Sequence, residues 1–250
     1  MPRLLIAPLC LLVGGLMVST ATAQRFSFNE ERPVSVQAIS FGYHLIDFEF
    51  DGDAEPLFAF DFNNPAYGIT YSRPSFLVTF GYGTQDADSA GREDLSLLDL
   101  TLTTWGDFIL TASQRTRLFV PVVLFSNYRR VAPEGEGASL DAFNVTVLGL
   151  GVGLGLSQQM SPTVLLEARA HPTFGLANSS FVDAIGSARI LDADVQIHFA
   201  RLFGKAGLSF GYSFKSQIWN VNASNLFPDL TDDLFDYRGS QHLFRAGVNF

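Results

Sequence analysis

Two short runs hold most of the side chains able to do chemistry. Glu167, Arg169 and His171 recur at every second position, and so do Asp192, Asp194, Gln196 and His198. In an extended chain a spacing of two puts all members of a run on one face, and facing strands bring opposite charges together. If the intervening link centres near Phe181, Arg169 falls close to Asp192 and Asp194, and His171 lies near Asp192. Three chemistries fit these residue types. Carboxylates beside guanidinium groups form a structural ion-pair network, because an enclosed charge must be paired or hydrated. The same groups could line a selective passage or a small polar binding site. A histidine and an aspartate with a nearby serine, such as His171, Asp192 and Ser179 or Ser180, could form a hydrolytic trio. The structural network is the expectation, with Glu167, Arg169, His171, Asp192, Asp194, His198 and Arg245 as its members and Lys205 and Lys215 beside them. No residue is assigned a catalytic role, and no metal or cofactor site is expected.

The elements that must position these residues are strands. Apolar residues recur with a period of two almost throughout, the signature of strands. Ten segments read this way: about 34–47, 65–72, 75–83, from Ser96 toward Thr111, 116–128, 143–156, 163–174, 187–199, 205–215, and from about 238 to the end. Eight or twelve strands are the alternatives. In the sixth, Leu148, Leu150, Val152, Leu154 and Leu156 alternate with four glycines. Glycine weakens a strand entropically, so the run implies one face in an apolar medium and the other crowded by side chains. Pro121 in the fifth segment cannot donate to a ladder, which implies a bulge or a missing bond there.

Connections alternate in length. Those after the second, sixth and eighth segments are short (Arg73-Pro74, 157–162 and 200–204), and the one after the fourth should be short too. Those after the odd segments are read as long, roughly 10 to 20 residues. The final segment, QHLFRAGVNF, puts Phe244, Ala246, Val248 and Phe250 on one face and Arg245 on the other. At the other end Arg3, an apolar run over 4–18 and Ala21-Thr22-Ala23 read as an export signal, 1–23, cleaved before Gln24. The single cysteine, Cys10, falls inside that signal, so neither disulfides nor thiolate chemistry are expected of residues 24–250. Without Arg3, 15 basic residues face 25 acidic ones, a poor balance for binding nucleic acid.

With these features the chain resembles the broad family of small bacterial outer-membrane β-barrel proteins. The likeness covers residues 24–250 and rests on Phe250 and its alternating partners, the aromatic outer faces and the rhythm of the links. It implies one domain: an all-β, transmembrane, antiparallel up-and-down barrel in the outer membrane, with short periplasmic turns and long external loops. It also implies that Phe244, Ala246, Val248 and Phe250 form the signal read by the barrel assembly machinery, and that membrane lipid and lipopolysaccharide are its surroundings. A non-enzymatic role in envelope structure or surface interaction, with a charged and mostly closed lumen, is the expectation. A narrow channel or hydrophobic-ligand transporter is the alternative, and a rim hydrolase acting on lipid or peptide is the second.

The long links are acidic. They carry Asp47, Glu49, Asp51, Asp53, Glu55 and Asp61, then Asp86, Asp88, Glu93 and Asp94, then Asp229, Asp232, Asp233 and Asp236. None fits the twelve-residue calcium loop, and a solvated acidic surface is expected. Phe58, Phe60 and Phe62, with Trp219, Phe227 and Phe235, read as loop aromatics that pack over the barrel mouth. Arg129 and Arg130 read as outer-rim cations that anchor their strand or meet lipid phosphates.

Overall fold

A computed structural model describes residues 36–50, 61–86, 94–133, 143–179, 184–220 and 236–250. Its elements are all strands: β1 (Ala38–Phe50), β2 (Pro65–Arg73), β3 (Phe76–Gln85), β4 (Leu95–Ala112), β5 (Thr116–Pro133), β6 (Phe143–Val152), β7 (Leu154–Ser161), β8 (Val164–Ser179), β9 (Ala184–Phe203), β10 (Ala206–Asn220) and β11 (Asp236–Asn249). β6 and β7 are two halves of one spanning strand, parted at Gly153, so ten strands form the wall. Each pairs antiparallel with its neighbours in sequence, and β1 pairs with β11 along its whole length, from Ala38↔Asn249 to Phe50↔Tyr237. The sheet therefore closes on itself as an up-and-down barrel.

The ladder registers fix its shape. A path across the strands from Ala38 runs through Ser72, Leu77, Thr103 and Phe125. It continues through Gly149, Gly175, Ala188, Trp219 and Tyr237, and returns to β1 at Phe50, twelve residues beyond its start. Ten strands with that stagger tilt by about 40° and enclose a backbone cylinder about 20 Å across. From Ala38 to Tyr237 every residue on this path faces inward, so a cylinder of that width must hold ten sets of inward side chains.

Alternation separates the two faces. Along β1, Ser40, Gly42, His44, Ile46 and Phe48 are buried, while Ile39, Phe41, Tyr43 and Leu45 are exposed. The outward rows of the other strands are also largely apolar, and Ile69, Phe80, Leu150, Phe174, Val195, Phe210 and Phe244 are exposed on them. A soluble barrel would hide such a belt; a lipid-facing one presents it.

Three sequence expectations need correction or refinement. The link between β8 and β9 spans only residues 180–183. Both strands run on because Gly175–Ser179 finds partners on β6 and β9. Trp219 belongs to β10 rather than to a loop. The irregularity expected of Pro121 appears on the β6–β7 side: the Pro121 carbonyl accepts from Gly153 N at 3.2 Å where the spanning strand is interrupted. Phe58, Phe60, Phe227 and Phe235 lie outside the described residues.

Candidate functional site

The lumen is the enclosed part of the molecule, and three layers fill it. The outermost is aromatic. Phe48, on the inward row of β1, stacks on Tyr237 of β11 with centroids 5.2 Å apart, and Phe143 of β6 meets Tyr237 at 4.3 Å. Trp219 completes the group, 5.3 Å from Phe48. Phe62 folds under it, exchanging two backbone hydrogen bonds with Phe48. All five rings are essentially inaccessible, and Leu97, Val131 and Val145 pack around them.

Beneath them lies a layer centred on Arg129 and Asp99. Arg129 Nη2 donates to Asp99 Oδ2 at 2.7 Å, and both side chains are buried. Asn127 Nδ2 donates to Asp99 Oδ1 at 2.5 Å and lies 2.9 Å from Thr101 Oγ1. In the amide orientation that satisfies both partners, the Gln217 oxygen also accepts from Arg129. The guanidinium sits under the aromatic layer, 5.1 Å from the Phe48 ring and 5.3 Å from the Trp219 ring. Gln241 joins Arg129 to His44, whose Nδ1 is 2.6 Å from its Nε2. Arg129 is therefore a lumen residue and not a rim anchor, because it shares the inward parity of Phe125 and Asn127.

The third layer gathers around Asp194. Its Oδ1 accepts from Arg169 Nη2 at 3.1 Å and from Gln196 Nε2 at 2.8 Å. Its Oδ2 accepts from Ser213 Oγ at 2.7 Å and from Arg245 Nη2. Arg169 covers the Trp105 ring, 3.7 Å from its centre. Register explains the meeting: Arg169 pairs with Asp194 across β8 and β9, and His171 pairs with Asp192. His171 is buried, its Nδ1 3.2 Å from Thr173 Oγ1. Asp192 is half-buried beside Lys215, whose Nζ is 3.3 Å from Thr101 Oγ1. A cavity of about 30 Å³ touches both, room for roughly two waters. At the end of the barrel that carries the short turns, His198 Nδ1 lies 2.7 Å from Ser209 Oγ and its Nε2 3.6 Å from Glu167, which is half-exposed. Lys205 is not a lumen residue; it is exposed in the turn between β9 and β10.

The wall is glycine-rich where the lumen is most crowded. Gly42, Gly68 and Gly81 lie side by side on β1, β2 and β3 under the His44 ring. A Cβ on Gly68 would stand 2.8 Å from His44 Nε2, and one on Gly211 would meet the Arg245 guanidinium at 2.9 Å. A Cβ on Gly155 would run into the Phe119 ring. Each glycine makes room for an inward side chain of a neighbouring strand.

Among the described residues the hydrolytic trio does not assemble. Ser179 and His171 share β8, eight residues apart, which is about 26 Å along an extended strand. Ser180 lies outside the described residues. Among the described residues no group of three or more histidines, cysteines, aspartates or glutamates is placed to hold a metal ion. Phe244, Ala246, Val248 and Phe250 line the outer face of the closing strand, with Arg245 behind them in the lumen. The Asp99–Arg129 pair was not singled out from the sequence. Its signal was present, since Asp99 alternates with the outward Leu98, Leu100 and Leu102, and Arg129 alternates with the outward Leu124.

No protein-family model matches the chain, and no curated protein does either. Solved structures are similar to it. The outer membrane protease OmpT of Escherichia coli matches over 91% of this chain and 99% of its own, at 10% identity and a TM-score of 0.43. The attachment invasion locus protein Ail of Yersinia pestis, in complex with the heparin analogue sucrose octasulfate, matches over 87% and 100%, at 12% identity and 0.31. The outer membrane protein OprG of Pseudomonas aeruginosa matches over 87% and 96%, at 9% identity and 0.31.

Proposed function

We propose that the chain is an integral barrel of the bacterial outer membrane that serves envelope structure or surface interaction, with a lumen closed to solutes. One observation carries this reading: the aromatic, Arg129–Asp99 and Asp194 layers are stacked, and each spans the lumen. The buried carboxylates Asp99 and Asp194 are each paired with arginine, the arrangement expected of a structural network, since an unpaired ion in such a place costs several kcal/mol; buried Lys215 is held by the Thr101 hydroxyl and the Phe125 ring. The side chains meet across a narrow barrel, and the cavity beside Asp192 and Lys215 measures only about 30 Å³. The apolar belt supports the membrane address, and the outward row ending in Phe250 supports handling by the barrel assembly machinery.

A channel or hydrophobic-ligand transporter would need a continuous path or a ligand-sized apolar cavity through the three layers. A rim hydrolase would need a serine near His171, which Ser179 is too distant to supply. Conductance across planar bilayers separates these readings. Purified, refolded protein should give no stable openings. Reproducible, protein-dependent openings would overturn the closed lumen. Substituting His171 with Ala should leave any lipid-ester or peptide cleavage by the preparation unchanged.

A further inference from the structure

On the outer surface of β9, β10, β11 and β1 the apolar belt stops early. Phe214 of β10 stands beside His242 of β11, which stands beside Leu45 of β1. Two residues further up, Ser216 faces Leu191 and Ser240, and Ser240 faces Asp47. Above Leu191 on β9 comes Arg189, opposite Ile218. These side chains have the outward parity of Phe210, Phe244 and Ile39, and Arg189 and Asp47 are exposed. Tilt and stagger set their height. Each strand step along the register path climbs about 3 Å, and each residue about 2.5 Å. On that scale His242 and Ser216 stand level, to within about 4 Å, with Leu45, Tyr82, Leu148 and Phe174, all exposed on the belt. Hydrocarbon at this level offers no hydrogen-bond partner. Among the described residues the side chains of Arg189, Asp47, Ser216 and Ser240 nevertheless make no hydrogen bond or ion pair. His242 has one contact of this kind, its Nδ1 lying 2.8 Å from the Tyr212 hydroxyl.

We propose that this face is the contact between two copies of the chain, related by a two-fold axis along the membrane normal beside the β10–β11 seam. The inference rests on the outer-membrane reading above. An isologous contact needs a surface that complements itself about the axis, and this one does. β9 and β1 lie equally far from the seam on either side, one and a half strand spacings or about 7 Å. They carry opposite charges at heights that agree to within about 4 Å. Arg189 of one copy therefore faces Asp47 of the other, twice over. Nearer the axis, Ser216 of each copy meets Ser240 and His242 of the other. Polar groups within a membrane pair with one another where they can, and here each copy supplies what the other lacks. The serines are small enough to let the two walls approach, and Phe214 and Leu191 pack beside them.

The test uses residues 24–250, which hold no cysteine, inserted in phosphatidylcholine vesicles at a high lipid-to-protein ratio. Ser216→Cys should give a dimer band with a short bifunctional thiol reagent. Leu100→Cys, on β4 across the ring, should give none. Placed in the Ser216→Cys protein, Arg189→Glu and Asp47→Arg should each lower the cross-linked fraction about tenfold or more, the scale of a mismatched charge at an interface. Combining the two reversals should restore it. Heat-modifiable migration checks that each variant is folded. A Ser216→Cys protein that stays monomeric, with lipid alone on this face, would overturn the dimer and leave the barrel reading intact. So would equal cross-linking at Leu100→Cys, or full cross-linking in folded charge-reversed variants. Loss in the single reversals without recovery in the double would overturn the contact between Arg189 and Asp47. Failure of the parent protein to insert would overturn both the dimer and the membrane reading.

Discussion

At the scale of single residues, Asp194 has the most dependents. It accepts from two arginines, an amide and a hydroxyl. Replacing it with Ala leaves Arg169 and Arg245 facing each other without a counter-charge, and removing one member of a buried pair costs about 3–5 kcal/mol. The urea midpoint of the folded, fast-migrating band should fall accordingly, and Asp194→Asn should recover only part of the loss. Asp99→Ala should behave alike through Arg129, whereas the double change Asp99→Leu/Arg129→Met should be milder than Asp99→Ala, because no orphaned charge remains. A double variant less stable than the single one would mean that the pair is held for its net attraction. Parity alone makes Asp194, Arg245 and Arg169 inward-facing, and a link centred near Phe181 puts Arg169 beside Asp192 and Asp194, within one residue of the observed pairing with Asp194. Ser213 stands directly opposite Asp194 on the adjacent β10, whereas Trp105, the ring under Arg169, comes from distant β4, depends on the curvature of a closed wall and leaves no trace in local spacing.

At the scale of elements, glycines mark where the wall is pressed from inside. Gly68 is one of three under His44, and a Cβ there would also overlap the Phe80 carbonyl of the neighbouring strand. Gly68→Ala should destabilise by about 1–3 kcal/mol through overpacking. Gly106, with nothing within 4 Å of its would-be Cβ, should accept Ala without loss. Denaturation midpoints of the two variants make the comparison, and equal effects would count against the close-packed wall. The glycine alternation of β6 was legible because polarity and size both followed the period of two. Strand ends were less so. β8, β9 and β10 outrun their apolar stretches, since backbone pairing continues wherever a neighbouring strand offers partners, whatever the side chains. For that reason the β8–β9 link shrank to four residues and Trp219 moved from loop to lumen.

At the scale of the whole molecule, the proposed closed lumen has three layers that each cross it. Trp219→Ala opens the aromatic layer but leaves the Arg129–Asp99 and Asp194 networks across the bore. It should therefore lower stability by about 3–5 kcal/mol without producing stable conductance in a planar bilayer; persistent openings in that variant would show that the aromatic layer alone closes the barrel. The sequence by itself determined the class and the two faces. A period of two is a property of each strand taken alone, so it fixes which residues look toward lipid and which toward the lumen, and ten such segments with their short turns fix an up-and-down wall. Closure with a stagger of twelve, the pairing of Phe62 with Phe48 and the burial of Arg129 were decided only by the tertiary structure. These depend on which residue of one strand stands beside which residue of another, and register is summed around the whole ring rather than written in any one segment.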